Sequence, residues 1–491
     1  MSINRKTSAI FIIIIVAGIF LRTYDLGWET YSYSEVEMKQ AVDEYAKGNF
    51  INNYYIFDTP PLPKYIFAAA VILSNTETSL RMVSVIFGML TVIALFFFTK
   101  KLYDVKTALL ASAILSFSVV HVQLSRYVQQ ETMLSFFYVM IAYFLWEAVN
   151  ENNKYSFVFL GIFIGLAMET KFISIIMIVV ILVYTIYSKH IKFSLKPKFS
   201  VQISNWILKS FLLALLVFFV LWPFGFTKLH TDATIAVNYG NEVRSQEIST
   251  DLPIMLLSFG RRIFTSMPAD MPYPLILKIP VLNYPLLYLV KECIIFIPLL
   301  IFGIYCILRR PIKQDKFIII LIATFIILLS FHQTNINYRH VVGIIPFFAI
   351  LASRWVSYAK IKLHYILMIF AIVILFSYTF IIGPSYALYY NPLKDTLGLI
   401  DTDAKMSEGM KETINYIKQN CTSFYAGPYY RFMMSPYAMN FSNTTASCVI
   451  SGDINELFEL GNVRKYIQDK QCVLEKTVYK NSIKILDIYR C

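Results

Sequence analysis

Three of the acidic residues between the first apolar segment of the chain and the next one long enough to cross a bilayer could do chemistry. Glu35 and Glu37 open a predicted helix, and Asp58 stands directly before Thr-Pro-Pro. A carboxylate held against a membrane surface is costly unless it serves a function. One that faces a hydroxyl can take its proton as a general base. We treat the three as candidate catalytic acids; the alternative is a solvated loop whose acids face water.

The local pattern ranks these acids. We predict a helix over Ser34–Lys47, with Ser34 as N-cap and Glu37, three residues later, completing a capping box. This gives Glu37 a structural role. Glu35 would lie in the first turn, where the helix dipole keeps it ionised but lowers its basicity. Asp58 lacks such a local partner, so Asp58 and Glu35 rank above Glu37 as the base.

Further charged residues fall on short turns that the span pattern below places on the same side of the membrane. They are Arg126, Glu131, Glu169, Lys171, Arg339 and His340. Cations at a membrane surface can hold a phosphate, although each alone also suits an anchor that reaches to the interface. Acids and cations together suit transfer of a group from a lipid-linked phosphate. A base then activates the acceptor, and cations stabilise the departing phosphate.

Missing sequence patterns argue against several enzyme classes. The chain has no G-x-x-x-x-G-K-[ST] and no G-x-G-x-x-G sequence, which argues against an ATPase or a dinucleotide enzyme. No His/Cys cluster has zinc-ligand spacing. Asp401 and Asp403 share the D-x-D pattern of nucleotide-sugar enzymes, but such pairs are common by chance. No cofactor is predicted with certainty, and a divalent metal is left open.

Composition places the chain in a membrane. It has 491 residues, of which 57% are hydrophobic, and a mean hydropathy of +0.58. This is too apolar for a soluble globular protein and fits an all-α polytopic membrane protein. The net charge is +13, but residues 384–491 hold 12 Lys and Arg against 11 Asp and Glu, a balance of +1. The excess belongs to the apolar part, which indicates anchoring beside a membrane rather than nucleic-acid binding.

Eleven apolar segments come close to the length of about 20 residues that a transmembrane helix needs. They are 7–23, 80–99, 106–122, 132–149, 155–170, 172–188, 206–223, 290–308, 317–332, 341–358 and 364–383. Lys and Arg concentrate on cytoplasmic loops, so their pattern puts the N-terminus inside. The charged turns and the residues after the last span then lie outside. We predict a multi-pass protein of the cell membrane with its active site on the extracytoplasmic face.

The predicted transmembrane domain is 1–383, in which 22–79 forms a first outer loop with interfacial helices. Within it, Pro61–Ser74 is apolar but only 14 residues long, which favours an interfacial or re-entrant helix over a span. A second outer loop, 224–289, is rich in Pro and aromatic residues and is predicted to be ordered surface structure.

Residues 384–491 are predicted to form a small extracytoplasmic α/β domain. Three N-x-[ST] acceptors and four of the six cysteines lie there. In an oxidising compartment four cysteines suggest up to two disulfides, with three pairings. An amphipathic helix is predicted over Glu408–Asn420, and strands over Val473–Tyr479 and Ser482–Tyr489.

Six short pieces of sequence stand in an order typical of one enzyme family. They are R-x-Y-x-L-G at Arg22–Gly27, Y-S-E at Tyr33–Glu35, D-T-P-P-L-P-K at Asp58–Lys64, S-L-R at Ser79–Arg81, S-R-Y-x-x-Q-E at Ser125–Glu131 and T-K at Thr170–Lys171. Across 15–190, and more weakly at 335–352, the chain resembles the GT-C superfamily of membrane glycosyltransferases. The resemblance includes the protein O-mannosyltransferases of glycosyltransferase family 39 and the bacterial aminoarabinose transferases.

The resemblance implies a polyprenyl- or dolichyl-phosphate sugar as donor and inversion at the anomeric carbon. In the family, an Asp in the first outer loop serves as base or positions the acceptor, and a second acid precedes Pro-Pro. Asp58 matches the second acid. Ser34 stands where the family usually has the first, and serine cannot serve as a carboxylate base. Glu35, Glu37 or Asp58 would take that role, with Ser34 and Glu131 lining the site. The predicted ligands of the donor phosphate are Lys64, Arg81, Arg126, Lys171, Arg339 and His340.

The predicted function is transfer of a hexosyl or pentosyl group to a hydroxyl of a protein, lipid or glycan. One alternative, the oligosaccharyltransferase branch, carries a W-W-D-Y-G-type sequence that the C-terminal part lacks. A transporter or flippase would bury charges mid-span and show paired halves. A non-catalytic subunit of a glycosylation complex is kept open by Ser34. The sugar, the acceptor, the metal requirement and the oligomeric state stay open.

Overall fold

The computed structural model describes most of the chain. The described residues are 5–50, 59–151, 153, 155–194, 200–222, 234–239, 242–247, 280–331, 338–358, 363–396, 409–426, 430, 433–437, 439–442, 446–452, 460–480 and 483–491. Asp58, Asp401 and Asp403 lie outside them, as does most of the predicted loop 224–289.

Helices make up nearly all of the apolar part of the chain. In chain order they are α1 (Arg5–Thr23), α2 (Tyr33–Ala46), α3 (Pro61–Leu73), α4 (Glu77–Leu102), α5 (Val105–Ser116), α6 (Val119–Leu124), α7 (Glu131–Asn150), α8 (Ser156–Met168), α9 (Ile175–Tyr187), α10 (Asn205–Leu221), α11 (Pro280–Lys291), α12 (Phe296–Arg309), α13 (Lys313–Leu329), α14 (Ile345–Ser353), α15 (Leu363–Ile382), α16 (Leu393–Thr396), α17 (Met410–Asn420) and α18 (Leu460–Asp469). Short 3-10 segments precede α9 (Phe172–Ser174) and flank α14 (Tyr338–Ile344 and Arg354–Ser357).

Among the described residues, four helical stretches are long and apolar enough to cross a membrane. By length and composition they are α1, α4, α7 and the stretch Tyr338–Ser357 that contains α14. Seven shorter apolar helices accompany them, among them α5, α8, α10 and α12. The chain is therefore a helical membrane protein, and the count of eleven spans stays a prediction. Helix α3 begins at the predicted Pro61 and ends at Leu73, one residue before the predicted end.

Small residues let pairs of helices approach closely. A Cβ atom added to Gly161 of α8 would lie 2.5 Å from the Ser210 carbonyl oxygen of α10, and one added to Gly165 would lie 2.7 Å from Val217. Both glycines face the same neighbour because they stand four residues apart on one helix face. Close backbone approach of this kind replaces the hydrophobic driving force that is missing between helices in lipid.

Polar networks mark the two ends of the helix bundle. We call the end that holds the C-terminus of α1 and the N-termini of α4 and α7 the site end. At the opposite end, which we call the basic end, Lys101 of α4 contacts Glu147 at 2.6 Å and Glu151 at 2.7 Å. There the buried Arg354 also donates to Asp315 at 2.7 Å. Helices α4 and α7 therefore run parallel, and their N-termini meet at the site end.

The strands form one sheet and two hairpins. They are β1 (Ile191–Ser194), β2 (Ser200–Ile203), β3 (Thr234–Tyr239), β4 (Glu242–Glu247), β5 (Phe424–Tyr425), β6 (Cys448–Gly452), β7 (Val473–Lys480) and β8 (Ile483–Arg490). The pairs β1–β2 and β3–β4 are antiparallel hairpins. The four C-terminal strands are ordered β5-β6-β8-β7, with β5 parallel to β6 and the other pairs antiparallel.

The C-terminal elements pack as the sequence pattern predicts. Met410, Ile414 and Ile417 of α17 are buried against the sheet. Two disulfides join Cys421 to Cys448 and Cys472 to Cys491. Their existence agrees with the prediction, and the structure selects one of the three pairings. Whether 384–491 is a separate domain stays a prediction.

The C-terminal part is fastened to the site end of the bundle. The buried carboxylate of Glu29 accepts hydrogen bonds from Gly409 N at 3.0 Å and Lys411 N at 2.9 Å, at the start of α17. A negative charge is favourable there because the first N–H groups of a helix lack intrahelical partners. The Tyr437 hydroxyl donates to Glu77 at 2.6 Å, at the start of α4. The C-terminal part therefore lies beside the first loop.

Candidate active site

Glu35 is fully buried on α2, at the site end. Its Oε1 accepts hydrogen bonds from Arg81 Nε and Val128 N, each at 2.9 Å. Its Oε2 accepts from Ser32 N at 2.8 Å and Arg81 Nη2 at 3.2 Å. Four donors thus occupy both oxygens and join α2 to α4 and to the turn before α7. These contacts indicate a structural role, since they leave no free face for an acceptor hydroxyl.

The N-terminus of α2 differs from the predicted one. The helix begins at Tyr33, with Ser32 as N-cap and Glu35 as the acid of the capping box. The prediction that Ser34 and Glu37 form this box is wrong. Ser-x-x-Glu occurs twice in the overlapping sequence S-Y-S-E-V-E, and the contact with Arg81 favours the first register. Glu37 was ranked last because it was expected to serve the capping box, and in the structure Glu35 serves it instead. The half-buried Glu37 is therefore a stronger candidate for the general base than Glu35.

Arg81 and Arg126, two predicted phosphate ligands, are buried and brace the first loop. Besides Glu35, Arg81 donates at 2.9–3.1 Å to the carbonyl oxygens of Leu26, Glu29 and Thr30. Arg126 donates at 2.7–3.2 Å to those of Leu21, Arg22, Tyr24 and Asp25. The second set lies at the C-terminus of α1, where carbonyls lack helical donors and favour a cation. We therefore assign Arg126 to the end of α1 rather than to a phosphate pocket.

Glu131, the first residue of α7, gathers the other predicted residues. Its Oε1 accepts a hydrogen bond from Lys171 Nζ at 3.1 Å, and the charge of Arg339 also acts on it. Arg339 Nη1 in turn donates to Ser34 Oγ at 3.4 Å. Ser34 of α2, Glu131 of α7, Lys171 of the turn after α8 and Arg339 of the 3-10 segment before α14 therefore form one continuous group. Of the six predicted phosphate ligands, the structure joins Lys171 and Arg339 through a shared acid.

Thr59, the residue that follows Asp58 in the chain, lies next to this group. Asp58 itself is outside the described residues, but Thr59 Oγ1 accepts from the side-chain amide of Gln130 at 3.4 Å. Gln130 precedes Glu131 in the chain. Thr59, one residue after Asp58, is therefore held beside the start of α7.

A second acid at the site end, Glu169, stands in the turn after α8. It is completely buried, and burial raises its pKa to about 9, while the nearby charge of Lys64 acts in the opposite direction. Lys64 is also buried and lies 5.8 Å from the ring centre of Tyr45. Glu169 was predicted to lie on one of the charged turns but was not predicted to have a role. Only its burial, which depends on packing, distinguishes it from a surface acid.

His340 and Lys291 each lie close to aromatic rings. The His340 ring is 6.3 Å from that of Tyr284. Lys291, at the end of α11, is buried and lies 3.6 Å from the centre of the Tyr390 ring and 5.0 Å from that of Tyr338. Lys291 was not predicted, although a lysine within the apolar run P-L-L-Y-L-V-K was a signal that could have found it.

No described set of three or more His, Cys, Asp or Glu side chains is arranged to hold a metal ion. The acids Glu35 and Glu131 are each bound by a cation, and Asp401 and Asp403 lie outside the described residues. The acids that the structure describes therefore do not fit a metal site, and the proposed reaction is written without a metal ion.

Comparison with known proteins shows which family and which folds the chain resembles. The profile of the dolichyl-phosphate-mannose-protein mannosyltransferase family matches residues 58–223, about a third of the chain. Curated protein sequences give no match. Among solved structures, ArnT from Cupriavidus metallidurans bound to undecaprenyl phosphate superposes with a TM-score of 0.55 at 12% identity, over 98% of this chain and 97% of that one.

A second similar structure comes from an archaeon. The oligosaccharyltransferase AglB from Archaeoglobus fulgidus, in complex with an inhibitory peptide and a dolichol-phosphate, gives a TM-score of 0.52 at 14% identity. It covers 85% of this chain, which spans 58% of AglB. At such identities the likeness concerns the fold. The chain has the fold of these membrane glycosyltransferases and resembles the GT-C superfamily, including the protein O-mannosyltransferases and ArnT.

Proposed function

We propose that this protein is an integral membrane glycosyltransferase that moves a sugar from a polyprenyl- or dolichyl-phosphate carrier to a hydroxyl group. The acceptor is a protein, lipid or glycan at the extracytoplasmic face. One observation carries the proposal: Lys171 and Arg339 both act on Glu131, beside Thr59, the residue that follows Asp58 in the chain. This group lies at one end of a bundle whose fold is shared with proteins solved with lipid phosphates.

In the proposed reaction the two cations hold the phosphate. Lys171 and Arg339 stabilise the negative charge that grows on the phosphate oxygen as its bond to the anomeric carbon breaks. Glu131 positions both cations. Its own charge offsets part of theirs, so a single phosphate rather than a diphosphate is favoured. The polyprenyl phosphate then leaves as an anion.

The acceptor hydroxyl attacks the anomeric carbon from the side opposite the phosphate, which inverts that carbon. Its proton passes to a carboxylate acting as general base. We assign this role to Asp58 by its match to the family, with Glu37 second. Glu35 is the weakest of the three because Arg81 and two backbone N–H groups occupy its oxygens.

A transporter is the less favoured alternative. Transport across the bilayer calls for charged groups near mid-membrane. Within the described residues, the group around Glu131 occupies helix starts and turns at the site end, and the Lys101 and Arg354 networks occupy the basic end. A non-catalytic subunit would show the same arrangement of charges. An assay of sugar transfer therefore decides between a non-catalytic subunit and an enzyme.

The test is mannosyl transfer by membranes containing the protein, supplied with polyprenyl-phosphate mannose and dolichyl-phosphate mannose. Mannose is the first sugar to try because of the family match. We expect Asp58→Asn to lower the rate by about 10²–10⁴-fold. Glu151→Gln, at the far end of α7, is the matched control and should keep the rate. If the wild-type membranes transfer no more than empty ones from several lipid-phosphate sugars, the protein is not the proposed enzyme.

A further inference from the structure

Glu169 is the buried acid that the proposed reaction does not use. Its exposed fraction is 0%, and neither Oε1 nor Oε2 receives a hydrogen bond within the described part of the chain. Buried polar groups in proteins nearly always have partners, so a carboxyl without one points to a ligand or to water. Within the described residues, both oxygens of the carboxyl are thus left unoccupied.

The surroundings of Glu169 combine one cation with aromatic rings. Lys64 is the charged neighbour, and the charge of Glu169 acts on the hydroxyls of Tyr45 and Tyr65. These two tyrosines and Phe50 form a mutual cluster, with ring centres 5.3–5.6 Å apart. Tyr45 is buried, whereas Tyr65 is half-buried and Phe50 is exposed. The cluster therefore presents an aromatic surface next to the carboxyl.

Three classes of ligand can be compared against this chemistry. A cation is disfavoured because Lys64 already stands beside Glu169. A phosphate is disfavoured because Lys64 is the single cation described beside Glu169, whereas Lys171 and Arg339 lie around Glu131. A neutral polyol fits both features, since its hydroxyls can bond to the two oxygens while its apolar C–H face packs on an aromatic ring.

We propose that Glu169, with Lys64 and the aromatic cluster of Tyr45, Phe50 and Tyr65, forms a saccharide-binding subsite. This inference rests on the proposed function and names the residues that recognise the sugar. Glu169 stands two residues before Lys171, a separation of at most about 7 Å along the chain. A sugar bonded directly to a phosphate on Lys171 would have its ring within reach of Glu169. The same chemistry would serve an acceptor sugar, and the experiment separates the two sources.

The experiment measures binding rather than turnover, in the full-length protein. The probes are polyprenyl phosphate, polyprenyl-phosphate mannose, its 2-, 3- and 4-deoxymannose analogues, and soluble methyl α-mannoside. The variants are Glu169→Leu and Glu169→Gln, with Glu151→Gln as control. Glu169→Leu should fold because the carboxyl makes no hydrogen bond within the described chain, and Glu169→Gln keeps the shape as a second variant.

The proposal predicts a loss that depends on the sugar. Glu169→Leu should bind polyprenyl-phosphate mannose at least tenfold more weakly and bare polyprenyl phosphate within twofold of the wild type. At least one deoxy analogue should bind the wild type several-fold more weakly than the mannose donor, and Glu169→Leu should not distinguish the two. If only methyl α-mannoside binding falls, the subsite belongs to an acceptor sugar.

Other results would overturn the subsite. In one, Glu169→Leu binds bare polyprenyl phosphate and polyprenyl-phosphate mannose equally more weakly than the wild type. In another, Glu169→Leu binds every probe as the wild type does. In a third, the wild type neither prefers the mannose-bearing lipid nor binds methyl α-mannoside. A wild type that fails to bind even bare polyprenyl phosphate would instead contradict the proposed function. The two failures are therefore distinguishable.

Discussion

Replacing Glu35 with Gln should unfold the first loop rather than remove a catalytic base. The carboxylate is fully buried, and its two oxygens accept four hydrogen bonds, two of them from Arg81. Glutamine keeps the shape and can accept at one position. Its amide group then faces two donors, and Arg81 loses its charge partner. Removing one member of a buried ion pair costs about 3–5 kcal/mol.

The assay compares Glu35→Gln with Glu37→Gln by thermal unfolding and by turnover per folded molecule. We expect Glu35→Gln to unfold at a clearly lower temperature and any surviving folded protein to keep its turnover. Glu37→Gln should unfold like the wild type, because Glu37 is half-buried and lies outside the capping box. The reasoning is refuted if Glu35→Gln keeps the wild-type unfolding temperature and loses turnover, since Glu35 would then be the base.

Three further predictions concern Arg126, Glu169 and the disulfides. Arg126→Lys should lower the free energy of unfolding by about 1–3 kcal/mol, because hydrogen bonds to backbone carbonyl oxygens are lost. An unfolding titration measures this loss, and a lipid-binding assay should show that polyprenyl phosphate binds as it does to the wild type. The pKa of Glu169, about 9 when folded and about 4.3 when unfolded, means that the folded state holds an extra proton between these values. Wild-type stability should therefore fall by up to about 3 kcal/mol from pH 6 to 8 relative to Glu169→Gln, measured by unfolding at each pH. Peptide mapping should find Cys421–Cys448 and Cys472–Cys491, and Cys472→Ser should cost about 2–4 kcal/mol in an unfolding titration; another pairing would contradict the fold.

The features that sequence predicts well depend on neighbouring residues. Helix α3 follows its apolar run to within one residue, and α17 ends at the predicted Asn420. The strands β7 and β8 run as predicted to within one residue at their ends. In each, alternation or helical spacing is visible within a short window. Residues farther along the chain have little influence on these boundaries.

The features that sequence could not decide depend on distant residues. Two Ser-x-x-Glu pairs compete at the start of α2, and the choice between them involves Arg81, 46 residues away. Three disulfide pairings were open until β7 and β8 paired Val473 with Arg490, which brings the adjacent Cys472 and Cys491 together. The contacts of Arg126 with the carbonyl oxygens at the end of α1 could not be predicted, because chain order does not show which way a side chain points.

The central claim is that Lys171 and Arg339 hold the phosphate of a lipid-linked sugar at the site end. An experimental structure of the protein with bound polyprenyl phosphate tests it most directly. We predict phosphate oxygens within about 3.5 Å of both Lys171 Nζ and the Arg339 guanidinium group. A phosphate bound among the cations of the basic end, or one that contacts neither Lys171 nor Arg339, would contradict the account.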